Sequence, residues 1–223
     1  MERAHRITGN QERAHTKPVD DRSAGWLSEI NAQIEAQPKT CWSIGKLKLA
    51  IPNLPGFPHA VAIDNVTAYG PCNARVRPAT FSERAERIEM GASFSEFELR
   101  GESHLVGKFQ ITLQAGKIAQ GLFRQRYIDR LWPVFGFWSV PFVIETAIGR
   151  LIPRPSDPEA ILRSAEPGEF AIPPLGSWFE KGDPINLVPA TDPDGPTVAM
   201  IEHAAHCLIN VGSAPAMPPS YLR

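Results

Sequence analysis

The stretch Lys117-Ile118-Ala119-Gln120-Gly121-Leu122-Phe123-Arg124-Gln125-Arg126-Tyr127-Ile128-Asp129-Arg130-Leu131 reads in two ways, and the fold turns on which is taken. Ile118, Leu122, Tyr127 and Leu131 approximate one apolar stripe of a helix. As a strand returning on its predecessor, the same residues would make a hairpin. The stripe predicts a helix. The predecessor is the clearest strand in the chain, because Phe109, Ile111 and Leu113 alternate with Lys108, Gln110, Thr112 and Gln114 before Ala115-Gly116 breaks the run. On the other side, residues 131–144 carry no charge. Fourteen residues are too few to span a bilayer, which takes about 20. They predict a buried core segment, with an aromatic partner-docking surface anchored by Trp132 and Trp138 as the functional counterpart.

Working outward, Trp26, Ile30 and Ile34 recur every four residues beside Leu27, which predicts a helix over 22–36 ended by Pro38. Strands are expected at 46–51, 59–68, 93–99 and 104–114, with a short one at 185–188. Thr80-Phe81-Ser82-Glu83 and Ser156-Asp157-Pro158-Glu159 match capping boxes, so helices are expected at 81–90 and up to about Ser164. Val198, Ile201, Ala205 and Leu208 predict a last helix over 197–210, stopped by Gly212. These elements give an α+β class: one domain over 21–212 with a mixed or antiparallel sheet and several short helices. Residues 1–20 and 213–223 read as tails. The 22 prolines among 223 residues, above the usual ~5%, imply many fixed loops.

The net charge is −1, but residues 104–154 carry +5 and residues 155–223 carry −6. A basic middle can be an anion-binding face or can pair internally with the acidic end. Arg124, Arg126 and Arg130 lie among Phe123, Tyr127 and Trp132, and arginines beside aromatics can grip phosphates and stack bases. The leading expectation is therefore a non-catalytic binding or assembly module. It would engage an anionic partner, nucleic acid first, through Lys117, Arg124, Arg126, Tyr127 and Arg130.

A competing expectation, a metal- or thiol-dependent enzyme, rests on the last predicted helix. His203 and Cys207 stand at i, i+4 and His203 and His206 at i, i+3, spacings that put metal ligands on one helical face. Zinc is the metal implied, with His104 or His59 as a further ligand. Glu202 precedes the pair, so the zincin order is not met. Gln37, Cys41 and Trp42 echo the context of papain-like enzymes without the local signature around the cysteine. Glu102-Ser103-His104 reads as turn composition. Phosphate-binding, dinucleotide-binding and nucleophile-elbow motifs are missing. Three cysteines without a C-x-x-C pair predict free thiols and, with the polar N-terminus, residence in the cytoplasm.

Overall fold

The computed structural model describes residues 21–34, 39–54, 57–127, 129–165 and 175–212, with backbone alone at 54, 57–59, 130–133, 210 and 211. The elements are α1 (Asp21–Gln33), β1 (Lys39–Leu54), β2 (Phe57–Val76), β3 (Thr80–Ser82), β4 (Arg87–Ser103), β5 (Gly107–Leu113), β6 (Ala119–Tyr127) and β7 (Arg130–Ser139). After these come β8 (Phe142–Thr146), β9 (Gly149–Pro153), β10 (Ile161–Ser164), β11 (Trp178–Lys181), β12 (Ile185–Pro189) and β13 (Ala199–Val211). The named strands pair antiparallel throughout.

Four long strands, in the order β4-β2-β1-β13, form a wall common to two closed rings. In the upper ring, β5, β8, β9 and β12 connect β4 back to β13. In the lower ring, β6, β7, β10 and β11 make the same connection. The long strands serve both rings by dividing their length. On β4, Glu98–Ser103 pair with β5 while Glu89–Phe94 pair with β6. On β13, Ala199–Ile201 pair with β12 while Ala204–Cys207 pair with β11. Closure leaves few backbone donors and acceptors unpaired, which is what a barrel achieves. The far wall is split where the chain passes from β7 to β8 through Val140-Pro141.

Side chains alternate as a barrel demands. Along β6, Ala119, Gly121, Phe123 and Gln125 are buried, while Gln120, Arg124 and Arg126 are exposed. The lower ring is filled by aromatics: Phe94 stacks on Trp138 at 4.0 Å, and Phe123 and Phe179 meet Trp138 edge to face. Gly121 lies opposite Trp138 and Gly136 opposite Phe123 across β6 and β7. A Cβ at Gly121 would come within 2.7 Å of the Trp138 ring, so each glycine makes room for the aromatic facing it. The upper ring is filled by aliphatic residues such as Leu47, Ile144, Leu151 and Leu187. Helix α1 buries Ile30 and packs Trp26, Leu27 and Ile34 on the core, as the sequence predicts. Asn31 holds α1 to the chain before β3 by accepting from the Ala79 N–H at 2.7 Å and donating to its carbonyl.

The α+β expectation is overturned. Among the described residues there is one helix, and the helices expected over 81–90, 117–131, 156–164 and 197–210 are turns and strands. The Thr80 box is a strand end and turn, in which Ser82 Oγ accepts from the Ala85 N–H and Glu86 takes a left-handed conformation at φ 50°. Within residues 117–131, Ala119–Tyr127 form strand β6, which pairs with β4 and β7 rather than returning on β5. The stretch 131–144 is core, as expected, because Val134, Trp138, Phe142, Val143 and Ile144 are buried within β7 and β8. The aromatic docking surface loses its Trp138 anchor to that core, and the Trp132 side chain lies outside the description. The tails expected at residues 1–20 and 213–223 lie outside the described residues. No helix among the described residues is long and apolar enough to cross a membrane.

Candidate ligand groove at the split wall

Where the two rings part, the outer surface sinks into a groove of about 1180 Å³. Its floor is apolar. Leu122 on β6 and Phe137 on β7 are direct cross-strand partners on the outer face, and Ile118 and Ile152 extend the patch. Such a pair on an outer face normally meets water, so its half-burial here comes from the groove walls. Its rim is polar and carries Gln114, Gln120, Ser139, Asp157 and Glu159.

The rim is held rigid. Pro141, Pro153, Pro155 and Pro158 fix their backbone φ angles and so have less freedom to lose. Arg154 reaches across to donate to the Gly195 carbonyl at 3.1 Å and to Thr197 Oγ1 at 2.8 Å. Asn186 donates to Asp157 at 2.8 Å, and the Ser139 hydroxyl donates to Glu159. The Nε of Arg154, which lines this groove, is buried with no hydrogen-bond partner among the described residues. A second hollow of about 1360 Å³ lies over β2, β4, β5 and β8, but it is lined by ion-paired surface such as Glu98–Arg100. The barrel interior offers little room. The cavity in the upper ring holds only about 10 Å³, near the space of a single water.

A buried polar strip runs inside the lower ring. Cys41 faces Cys72 in register across β1 and β2, and Ser43 Oγ donates to Cys72 Sγ at 3.2 Å. His206 sits edge-on to Phe94 and Phe97. Burial alone lowers its pKa to about 4, so the ring is neutral, and its Nε2 has no hydrogen-bond partner among the described residues.

The residues singled out from the sequence fall apart into different places. Arg124 is neutralised by Glu89, directly opposite on β4, with both Nε and Nη2 at 2.6 Å from one carboxylate oxygen. Arg126 lies over the rings of Tyr127 and Phe135 on the exposed surface of the lower ring. Lys117 alone of the set lines the groove, at the end of a tight turn in which its N–H donates to the Gln114 carbonyl. The Arg130 side chain is outside the description. The nucleic-acid reading therefore fails. The basic run is a β-hairpin arm rather than a helix presenting a row of arginines, its central guanidinium is already paired, and the fold likeness below adds nothing toward nucleic acid.

His203, His206 and Cys207 sit on a strand, so the helical spacing that grouped them is gone. His203 and Cys207 share one face but lie about 13 Å apart along it, and His206 points to the other. His203 approaches Glu180 at 3.7 Å, and Cys207 is pushed up to about 11 by burial. No cluster of three or more metal-ligating side chains exists among the described residues. His104 is exposed at the β4–β5 turn, where its N–H donates to Asp64; the His59 side chain is outside the description. The groove itself was missed. Its apolar floor comes from four separate elements, and the one local signal was the proline run at 153–158.

No family model matches the chain, and no curated protein matches its sequence. The fold is similar to the solved structure of DynF from the dynemicin biosynthesis pathway of Micromonospora chersina. The TM-score is 0.62 over 80% of this chain and 83% of that one, at 18% identity, a likeness of fold.

Proposed function

We propose that this chain is a small-molecule-binding β-barrel protein whose ligand seats in the groove at the split wall. The observation that carries the reading is the groove: an apolar floor of Leu122, Phe137 and Ile152 inside a polar rim pinned by proline and by Arg154. Ligand sites are concave and mostly apolar, with a few placed polar groups, and a preformed rim reduces the entropy lost on binding. The ligand class that fits is a largely apolar molecule with hydrogen-bonding groups at its edge. A biosynthesis pathway is the setting of the similar structure DynF, and it agrees with handling of small molecules. Three free, buried cysteines suit residence in a reducing cytoplasm.

The neutral dye Nile red tests the reading. Titration of the full chain should give saturable fluorescence enhancement at one site. Replacing the half-buried floor pair by Leu122→Glu and Phe137→Glu should weaken binding by about tenfold or more, as desolvating a charge on the floor requires. Undiminished affinity in a double variant that keeps the wild-type circular dichroism and melting curve rejects the groove as the seat.

A further inference from the structure

We propose that Cys41 and Cys72 form a thiol–disulfide exchange site inside the lower ring, one that takes a small disulfide such as oxidised glutathione and closes into a Cys41–Cys72 disulfide. The site goes beyond ligand binding in the groove and does not depend on it.

Geometry comes first. The two residues are direct partners in adjacent antiparallel strands. Such partners have Cα atoms about 4.5–5.5 Å apart, within the span a disulfide bridges. Both thiols are free and buried; the Cys41 thiol donates to the Lys39 carbonyl at 3.6 Å, and Ser43 Oγ donates to Cys72 Sγ. Cys207 lies elsewhere, opposite Ile44 and Trp178.

The two thiols have different chemistry. Cys41 accepts the hydrogen bond of the Cys72 thiol, which holds its pKa below the ordinary thiol value, and Lys39 adds to this. The same bond, with burial, holds Cys72 protonated despite the hydroxyl of Ser43. That division makes Cys41 the attacking sulfur and Cys72 the resolving one. In the first step the Cys41 thiolate attacks one sulfur of the small disulfide. A Cys41–glutathione bond forms, the original S–S bond breaks, and one glutathione thiolate leaves and takes up a proton. Cys72 then loses its proton and attacks the Cys41 sulfur, expelling the second glutathione. Two electrons pass from the cysteine pair to the small disulfide, which leaves as two thiols, one proton coming from Cys72 and the other from water.

Access is through the end of the barrel. Cys41 is two residues from the start of β1 and faces Val211, the last residue of β13. Register shifts flank the pair, at Trp42/Ser43 against β13 and at Asn73/Ala74 against β4. Ladders interrupted by bulges close to strand ends open locally more readily than the core.

The test uses the full reduced chain, oxidised glutathione and intact mass after alkylation of the remaining thiols under denaturing conditions. The wild type should lose two of its three alkylatable thiols without retaining glutathione, and peptide mapping should join residues 41 and 72. Cys72→Ala should retain one glutathione on Cys41. Cys41→Ala should react about tenfold more slowly or less, because burial still disfavours the thiolate of the remaining Cys72. A stable glutathione adduct on the wild type, a disulfide that includes Cys207, or three thiols still alkylatable after prolonged exposure overturns the proposal. Native-state alkylation by iodoacetamide reports opening independently. Modification of Cys41 by that reagent without disulfide formation under oxidant also overturns it.

Discussion

The two rings share four strands but are filled differently. The upper ring is mainly aliphatic, with Leu47, Leu49, Ile144, Leu151 and Leu187 beside a single ring, Phe109, around a void of about 10 Å³. The lower ring packs Phe94, Phe97, Phe123, Trp138 and Phe179 around His206, Ser43, Cys41 and Cys72. An aliphatic filling can be repacked at small cost, because its members have similar volumes and no polar atoms to satisfy. The lower ring has neither freedom. Its rings fit against glycines, and among the described residues His206 Nε2 is buried without a hydrogen-bond partner. The upper ring is an apolar filling, and the lower ring holds the buried polar groups.

The largest expected effect probes that contrast directly. Trp138→Ala removes the ring that stacks on Phe94 and covers Gly121, and should cost about 3–5 kcal/mol in urea unfolding. A cost near that of an aliphatic trim would show that the lower ring is loosely packed. The next effect depends on pH. His206 takes up a proton near pH 6.5 when unfolded and near 4 when folded, so the unfolded chain binds more protons between these values. Stability from this group is full above about pH 6.5 and is lost as pH falls toward 4, by about 3 kcal/mol. Unfolding curves from pH 4 to 7 should show that slope in the wild type and lose it in His206→Leu; an unchanged slope removes the buried histidine from the account. Ile144→Val in the upper ring should cost only about 0.5–1.5 kcal/mol in the same assay. Smallest is Arg124→Ala, where an exposed ion pair with Glu89 is broken and the midpoint should move by less than ~1 kcal/mol.

The same contrast explains what could be read in advance. Helix α1 and strand β5 were legible because each has one apolar and one polar face, with the matching period of 3.6 or 2. Strand β6 was misread because its inward positions are Ala119, Gly121, Phe123 and Gln125. Two of these are small so that aromatics across the ring fit, and Gln125 faces inward because its Oε1 accepts from the Ile88 N–H. Apolar alternation is erased by the packing it serves. Strand β13 was misread for another reason: Ala204 through Leu208 are buried on both faces, so period 2 vanishes and a helical stripe can be drawn through what remains. The charge blocks misled because net charge along the chain says nothing of cross-strand partners, and Glu89 and Arg124 are 35 residues apart. The Cys41–Cys72 pair and the groove needed the register of β1 on β2 and the split between rings, neither of which is local.

The most direct measurement of where this barrel holds a ligand is the set of nuclear Overhauser contacts between bound Nile red and methyl groups of the full chain. Contacts to Leu122, Ile118 and Ile152 are predicted, since these form the groove floor. Contacts confined to Leu47, Ile144 and Leu187 would put the dye inside the upper ring and contradict the account.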